Sequence, residues 1–284
     1  MAFGARLMAA MRDRGPLCVG IDPHPELLER WGLPDTPASL VAFADAILDA
    51  SVDSAAAVKP NSAFYERHGS RGIAALEYTL GRAREMGLLT ILDVKRGDIG
   101  STMQGYADAY LAKGAPLEAD SITVSPFLGV GSLRPAFELA EHTGKGVFIL
   151  ALTSNPEGAS VQHAKGPDGH VADVIARAAG ALNEGKEPMG SVGLVVGATV
   201  GTAIAELGID LEAVNGPLLV PGVGAQGGTP ADVARVFGNV RHRVLVSQSR
   251  GVLQAGPIVE ELRGAIRAAS GAAQYSLART NVDE

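Results

Sequence analysis

Short, mostly aliphatic runs recur along the chain at 17–22, 55–59, 88–94, 121–124, 147–152, 192–196, 218–220 and 244–247. None alternates strictly between apolar and polar positions, so each predicts a strand buried on both faces. Between them lie stretches with apolar residues at helical spacing, at 37–50, 71–86, 101–113, 131–141, 171–184, 200–207, 230–237 and 256–269. Parallel strands need a crossover from one to the next, and a helix supplies it while covering the outer face of the sheet. Eight such units in 284 residues predict an α/β fold, a single-domain (β/α)8 TIM barrel, better than an open doubly wound sheet. No shift in composition marks a second domain, and the polar stretch 271–284 is expected to be a frayed C-terminal tail or a weakly docked segment.

Polar and ionisable residues sharpen this picture. Asp22, Lys59, Asp93, Lys95, Ser154, Gln226 and Arg250 all fall at or just after the end of an apolar run. In a barrel those positions share the carboxyl rim, where barrel active sites are built. A hydrophobic fraction of 46% against 19% charged residues predicts a substantial core. The net charge of −7 and the lack of a basic run exclude nucleic acid and an anionic membrane as partners. The opening residues carry no signal-peptide pattern and no apolar stretch approaches spanning length, so a cytoplasmic protein is expected. The single cysteine, Cys18, sits inside an apolar run and reads as a small core residue; no disulfide can form within the chain. The six histidines, His24, His68, His142, His163, His170 and His242, form neither HxxxH nor HExxH, and no metal site is expected.

The most specific chemistry lies at the end of the third run, in Asp93-Val94-Lys95-Arg96-Gly97-Asp98. Residues two apart on a strand point the same way, which predicts that Asp93 and Lys95 project together, with Asp98 following where the chain opens a helix. Two acids beside Lys95 favour its ammonium form and fix its orientation. At an effective dielectric near 20, unit charges about 4 Å apart interact by roughly 4 kcal/mol. A substrate carboxylate placed beside Asp93 is repelled, and a carbanion forming beside Lys95 is stabilised. Loss of CO2 relieves the first effect and develops the second, so the pattern suits decarboxylation with Lys95 as general acid. Taken alone, such a cluster is as well read as a solvated ion-pair group. A second feature adds weight. The stretch from Pro221 to Pro230 contains four glycines and Gln226, and Arg250 follows the last run. Loops after the seventh and eighth strands commonly hold phosphate in such barrels, with backbone N–H groups and a guanidinium as donors.

With these residues in view, the sequence resembles the orotidine 5′-phosphate decarboxylase family, in particular its bacterial branch typical of actinobacteria. The resemblance covers about residues 15–255 and rests on Gly20-Ile21-Asp22-Pro23, Val58-Lys59-Pro60-Asn61, Asp93 to Ile99 with Thr102, Leu152 to Pro156, Pro221 to Gly228 and Ser249-Arg250-Gly251. It implies a charged catalytic network of Lys59, Asp93, Lys95 and Asp98, with Lys95 protonating C6 of the pyrimidine. It also implies substrate contacts from Asp22 and Lys59 to the ribose, from Ser154 to the pyrimidine edge, and from Gln226 and Arg250 to the phosphate. Asp98 and Thr102 are implied to reach into a neighbouring subunit's site, hence a homodimer acting on orotidine 5′-phosphate, with no metal or organic cofactor. Residues 155–170 depart from the compact members of the family and are expected to contribute to a lid. Two rivals stand beside this reading: a Mg2+-dependent sugar-phosphate barrel sharing the Asp-x-Lys-x-x-Asp element, and a non-catalytic nucleotide-binding barrel.

Overall fold

Apolar runs of four to eight residues become strands that pair only in parallel and close on themselves in the computed structural model, which describes residues 1–223 and 230–278. The ring consists of β1 (Leu17–Ile21), β2 (Ala57–Pro60), β3 (Leu89–Arg96), β4 (Ser121–Val124), β5 (Gly146–Leu152), β6 (Val192–Val196), β7 (Leu218–Pro221) and β8 (Val244–Gln248). β1 completes it by pairing with both β2 (Cys18 opposite Ala57) and β8 (Leu17 opposite Val246). This is the expected (β/α)8 barrel. The eight strands coincide with the predicted runs to within about two residues at each end, because strands covered on both faces leave an uninterrupted apolar signature.

The longer helices are α1 (Phe3–Arg14), α2 (Pro37–Ser51), α3 (Gly69–Glu85), α4 (Gly100–Leu111), α5 (Arg134–Thr143), α6 (Val171–Leu182), α7 (Pro230–Phe237) and α8 (Val259–Ala278). α5 begins at Arg134 rather than 131, after a 3-10 turn over Val130–Leu133. Pro135 explains the boundary, since proline is tolerated in the first turn of an α-helix but not further in. The predicted helix at 200–207 shrinks to the single turn Ala203–Glu206. α8 runs well past its expected end. Ala273 and Ser276 are buried within it, and Ser270 Oγ donates to the Arg14 carbonyl at 3.1 Å, so residues 271–278 are helix packed on the barrel, the docked alternative of the two. Residues 279–284 lie outside the described residues.

α1 has no counterpart among the expected helices. Phe3, Leu7 and Met11 recur every four residues and fall on one face, which fills the amino-terminal mouth of the barrel. There they pack with Cys18, Ala57, Ile91, Phe148, Leu219 and Leu245. The Phe3 and Phe148 rings meet edge to face at 6.0 Å between centroids. Gly146 admits the Phe3 ring, since a Cβ there would lie 2.2 Å from it. Cys18 is fully buried in this layer, and burial, ahead of the Lys59 charge that opposes it, pushes its thiol up to about 12. It is a core residue, as its setting in the sequence predicts. Among the described residues no helix is long and apolar enough to cross a membrane.

Candidate active site

The regular ladder breaks where the chemistry was expected. Between the register pairs Leu92–Ile122 and Arg96–Val124, β3 threads Asp93, Val94 and Lys95 while β4 offers only Thr123. The excess chain is absorbed at Lys95, whose φ of 44° places a residue with a side chain in the left-handed region. Asp93 and Lys95 do converge, but through this bulge rather than through the simple alternation of a strand.

Asp93 is the hub. Its Oδ1 accepts the Lys95 ammonium at 2.6 Å and the Thr123 hydroxyl at 2.8 Å, and its Oδ2 accepts the Lys59 ammonium at 2.9 Å. The carboxylate is 8% exposed. Burial pushes its pKa up, but the Lys59 charge, then the Lys95 charge and the hydrogen bonds from both, outweigh that and hold the carboxyl well below the usual carboxylate range. Lys59, brought up by the end of β2, mirrors it: burial opposes its charge, and the Asp93 and then the Asp22 carboxylates override burial and keep its pKa above the ordinary lysine value. The pair is therefore locked in its ionised form. Lys95 differs from Lys59 in exposure, with half of its side chain accessible on the cavity side.

A cavity of about 490 Å³ opens at the carboxyl ends of the strands and is lined by Asp22, Lys59, Asp93, Lys95, Thr123, Ser154 and Arg250, among others. Six of the nine residues expected to form the site are thus brought together around one space. Asp22 follows β1, Ser154 follows β5, and Arg250 opens the short helix Arg250–Leu253 after β8. At the wall of this cavity Asp22 Oδ1 and Ser249 Oγ are buried with no hydrogen-bond partner. From the sequence Ser249 has no role of its own, only its place in the Ser249-Arg250-Gly251 motif.

Of the other expected residues, Asp98 and Thr102 do not line this cavity. The Lys95 ammonium pairs with Asp93 and not with Asp98, so within one chain the lysine is not bracketed by two acids. The cause is local: Gly97 packs so tightly on the Ser125 carbonyl that a Cβ would come within 2.4 Å of it, and Asp98 then leads into α4 with its Oδ1 accepting the Ile99 N–H at 2.8 Å. Thr102 is exposed on α4. Gln226 and the glycine-rich stretch around it, residues 224–229, lie outside the described residues. Thr123 is the residue that sequence reasoning missed. Its signal was a hydroxyl in the run Ser121-Ile122-Thr123-Val124, one position from the carboxyl end of a barrel strand.

Residues 155–170 fold on themselves. A 3-10 turn over Pro156–Gly158 and a helical turn over Ala159–Gln162 lead to a small hairpin pairing Lys165–Gly166 with Gly169–His170. The Gln162 amide accepts the Thr153 N–H at 2.9 Å and donates to the Thr153 hydroxyl at 2.7 Å, tethering the segment beside Ser154. His170 Nδ1 lies 2.8 Å from the His163 carbonyl, so that ring serves the hairpin turn.

A closed parallel barrel with a carboxylate held between two ammonium groups on its carboxyl rim places the chain in the class of (β/α)8-barrel enzymes. The model of the orotidine 5′-phosphate decarboxylase / HUMPS family matches residues 15–265, and the chain belongs to that family. It is 58% identical to the orotidine 5′-phosphate decarboxylase of Salinispora arenicola over 265 residues, covering 93% of this chain and 94% of that one. It is 56% identical to the enzyme of the same name from Streptomyces coelicolor over 266 residues, again covering 93% and 94%. Among solved structures, an orotidine 5′-phosphate decarboxylase from Streptomyces avermitilis superposes with a TM-score of 0.93 at 53% identity, covering 98% of this chain and 96% of that one.

Proposed function

We propose that this protein converts orotidine 5′-phosphate to UMP and CO2 in pyrimidine nucleotide synthesis, without a cofactor, and that Lys95 supplies the proton which replaces the carboxylate at C6. The observation that carries this is the Asp93 carboxylate fixed between Lys59 and Lys95 on the barrel rim. Seating the substrate carboxylate against Asp93 sets like charges together, and Asp93 cannot relieve the strain by taking a proton, because both lysines keep it ionised. Breaking the bond from C6 to the carboxylate leaves the electron pair on C6 and releases the repulsion as CO2 departs. The Lys95 ammonium then stabilises that pair and donates its proton to it, and solvent restores the lysine. Lys59, already engaged on the far oxygen of Asp93, holds the network charged.

Binding follows the same division around the rim. Asp22 Oδ1, buried without a partner, suits a ribose hydroxyl, with Lys59 beside it. Ser154 addresses the pyrimidine edge, and Arg250 with Gln226 holds the phosphate. The reading includes a homodimer working in the cytoplasm, in which Asp98 and Thr102 complete the partner's site. Its support is an apolar patch on the same loops: Ile99 is 62% exposed and Phe127 76%, and the close packing of Gly97 on Ser125 sets the two loops side by side. Mixing the purified protein with orotidine 5′-phosphate and a chelator tests the activity. Ultraviolet absorbance should fall as CO2 is released; binding of UMP with no CO2 release, or activity lost to the chelator, would overturn the assignment.

A further inference from the structure

We infer that Thr123 is a positioning residue for this reaction: its hydroxyl fixes the Lys95 backbone and the Asp93 carboxylate relative to one another, and so aims the proton that Lys95 delivers. The inference rests on the proposed role of Lys95. Thr123 is 1% exposed and stands opposite the bulge, where three residues of β3 face one of β4. A bulge displaces main-chain groups from the ladder, and those groups must find other partners. Here the Lys95 N–H donates not to a β4 carbonyl but to Thr123 Oγ1, at 3.0 Å.

The hydroxyl's single proton decides the direction of the chain of bonds. An ionised carboxylate can only accept, so the Thr123 proton goes to Asp93 Oδ1 at 2.8 Å, which leaves an oxygen lone pair for the Lys95 N–H. Asp93 Oδ1 in turn accepts the ammonium of the same lysine at 2.6 Å. The result is a closed ring: Lys95 N–H to Thr123 Oγ1, Thr123 hydroxyl to Asp93 Oδ1, and Lys95 ammonium to Asp93 Oδ1. It ties both ends of Lys95 to one oxygen and holds the residue at its left-handed φ of 44°, a conformation that costs free energy and persists only when its surroundings fix it. No aliphatic residue can occupy the place of Thr123 and close that ring, whereas serine can.

Thr123→Val keeps the shape of the side chain and removes the hydroxyl; Thr123→Ser keeps the hydroxyl and removes a methyl group. Steady-state kinetics with orotidine 5′-phosphate, UMP binding and thermal melting are to be measured on both, with Lys95→Ala alongside. Misplacing a reacting group by about 1 Å costs up to ~100-fold in rate, so Thr123→Val should lower kcat by about 10- to 100-fold. KM and UMP affinity should stay within about threefold, because the groups that bind the nucleotide are untouched. Thr123→Ser should bring kcat back to within about threefold of the parent. Should the valine variant fail to fold, Thr123→Ala carries the same expectation. The inference is overturned if kcat survives loss of the hydroxyl, if serine fails to restore it, or if UMP affinity falls as far as kcat does. Full turnover by Lys95→Ala would instead overturn the proton-donor role itself, whereas an inactive Lys95→Ala beside an unimpaired Thr123→Val would overturn only the role of Thr123.

Discussion

The two mouths of the barrel are made from the same eight strands and meet opposite demands. At the amino end, α1 lays Phe3, Leu7 and Met11 over a floor of buried apolar side chains, with Arg6 at its edge paired to Asp120. At the carboxyl end two ammonium groups each lie within 3 Å of one carboxylate, that of Asp93, which is almost wholly buried. Covering apolar area is favourable in any geometry that excludes water. Gathering charges is not, because the cost of removing ions from water offsets most of their attraction. The floor therefore stabilises the barrel, and the rim draws on that stability to hold charges where a reaction needs them.

The sharpest way to separate the two ends is to remove one side chain from each. Lys95→Ala should lower kcat by about 10²- to 10⁴-fold, the range for losing a general acid, while the melting temperature moves by only a few degrees, since half of that side chain is exposed. A large fall in melting temperature would show that the rim is structural after all. Phe3→Ala should do the reverse. Emptying the floor of a fully buried ring costs about 3–5 kcal/mol in unfolding free energy, and kcat at a temperature where the variant is folded should match the parent; equal losses of activity and stability would refute the division.

Smaller effects refine the picture of the rim. Lys95→Ala and Asp98→Ala subunits, each inactive alone, should regain about a quarter of the parent activity on random exchange, because one of the two sites in each mixed dimer contains neither change. No recovery despite demonstrated exchange would remove Asp98 from the shared site. The acid response is the smallest. The folded-state pKa of Asp93 is depressed, so its contribution to stability is complete above the unfolded carboxylate value near ~4 and is lost as pH falls below that toward the folded value. Lys59 is shifted upward, so its contribution persists throughout that range. Between about pH 5 and pH 3 the urea midpoint should therefore drop more for the parent than for Asp93→Asn; parallel slopes would contradict the charged network.

Most of the barrel was legible because a strand covered on both faces can hardly avoid an aliphatic run, and β4 and β6 match their runs residue for residue. α1 was equally written in the chain, in Phe3, Leu7 and Met11 four apart, but an opening segment reads as a helix only when there is a surface for its apolar face to cover. That surface is the barrel mouth, which exists only after eight strands have closed. The site was legible as residue types at strand ends, so Asp22, Lys59, Asp93, Lys95, Ser154 and Arg250 were all placed on one rim. What period-two alternation could not supply was the bulge in β3, because the register between two strands depends on the partner, and with it went Thr123. The separation of Asp98 from Lys95 was hidden for the same reason: the turn at Gly97 is set by contact with Ser125 from the next loop.

The pairing of β1 with β8 also bears on how the molecule is made. Until Val244–Gln248 has emerged from synthesis, Leu17–Ile21 offers an unpaired edge, and every shorter nascent chain is an open sheet able to recruit strands from its neighbours. Ring closure joins segments separated by nearly the whole chain, a slow event by topology alone. Overproduction at high temperature should thus yield inclusion bodies well before the finished barrel itself begins to melt.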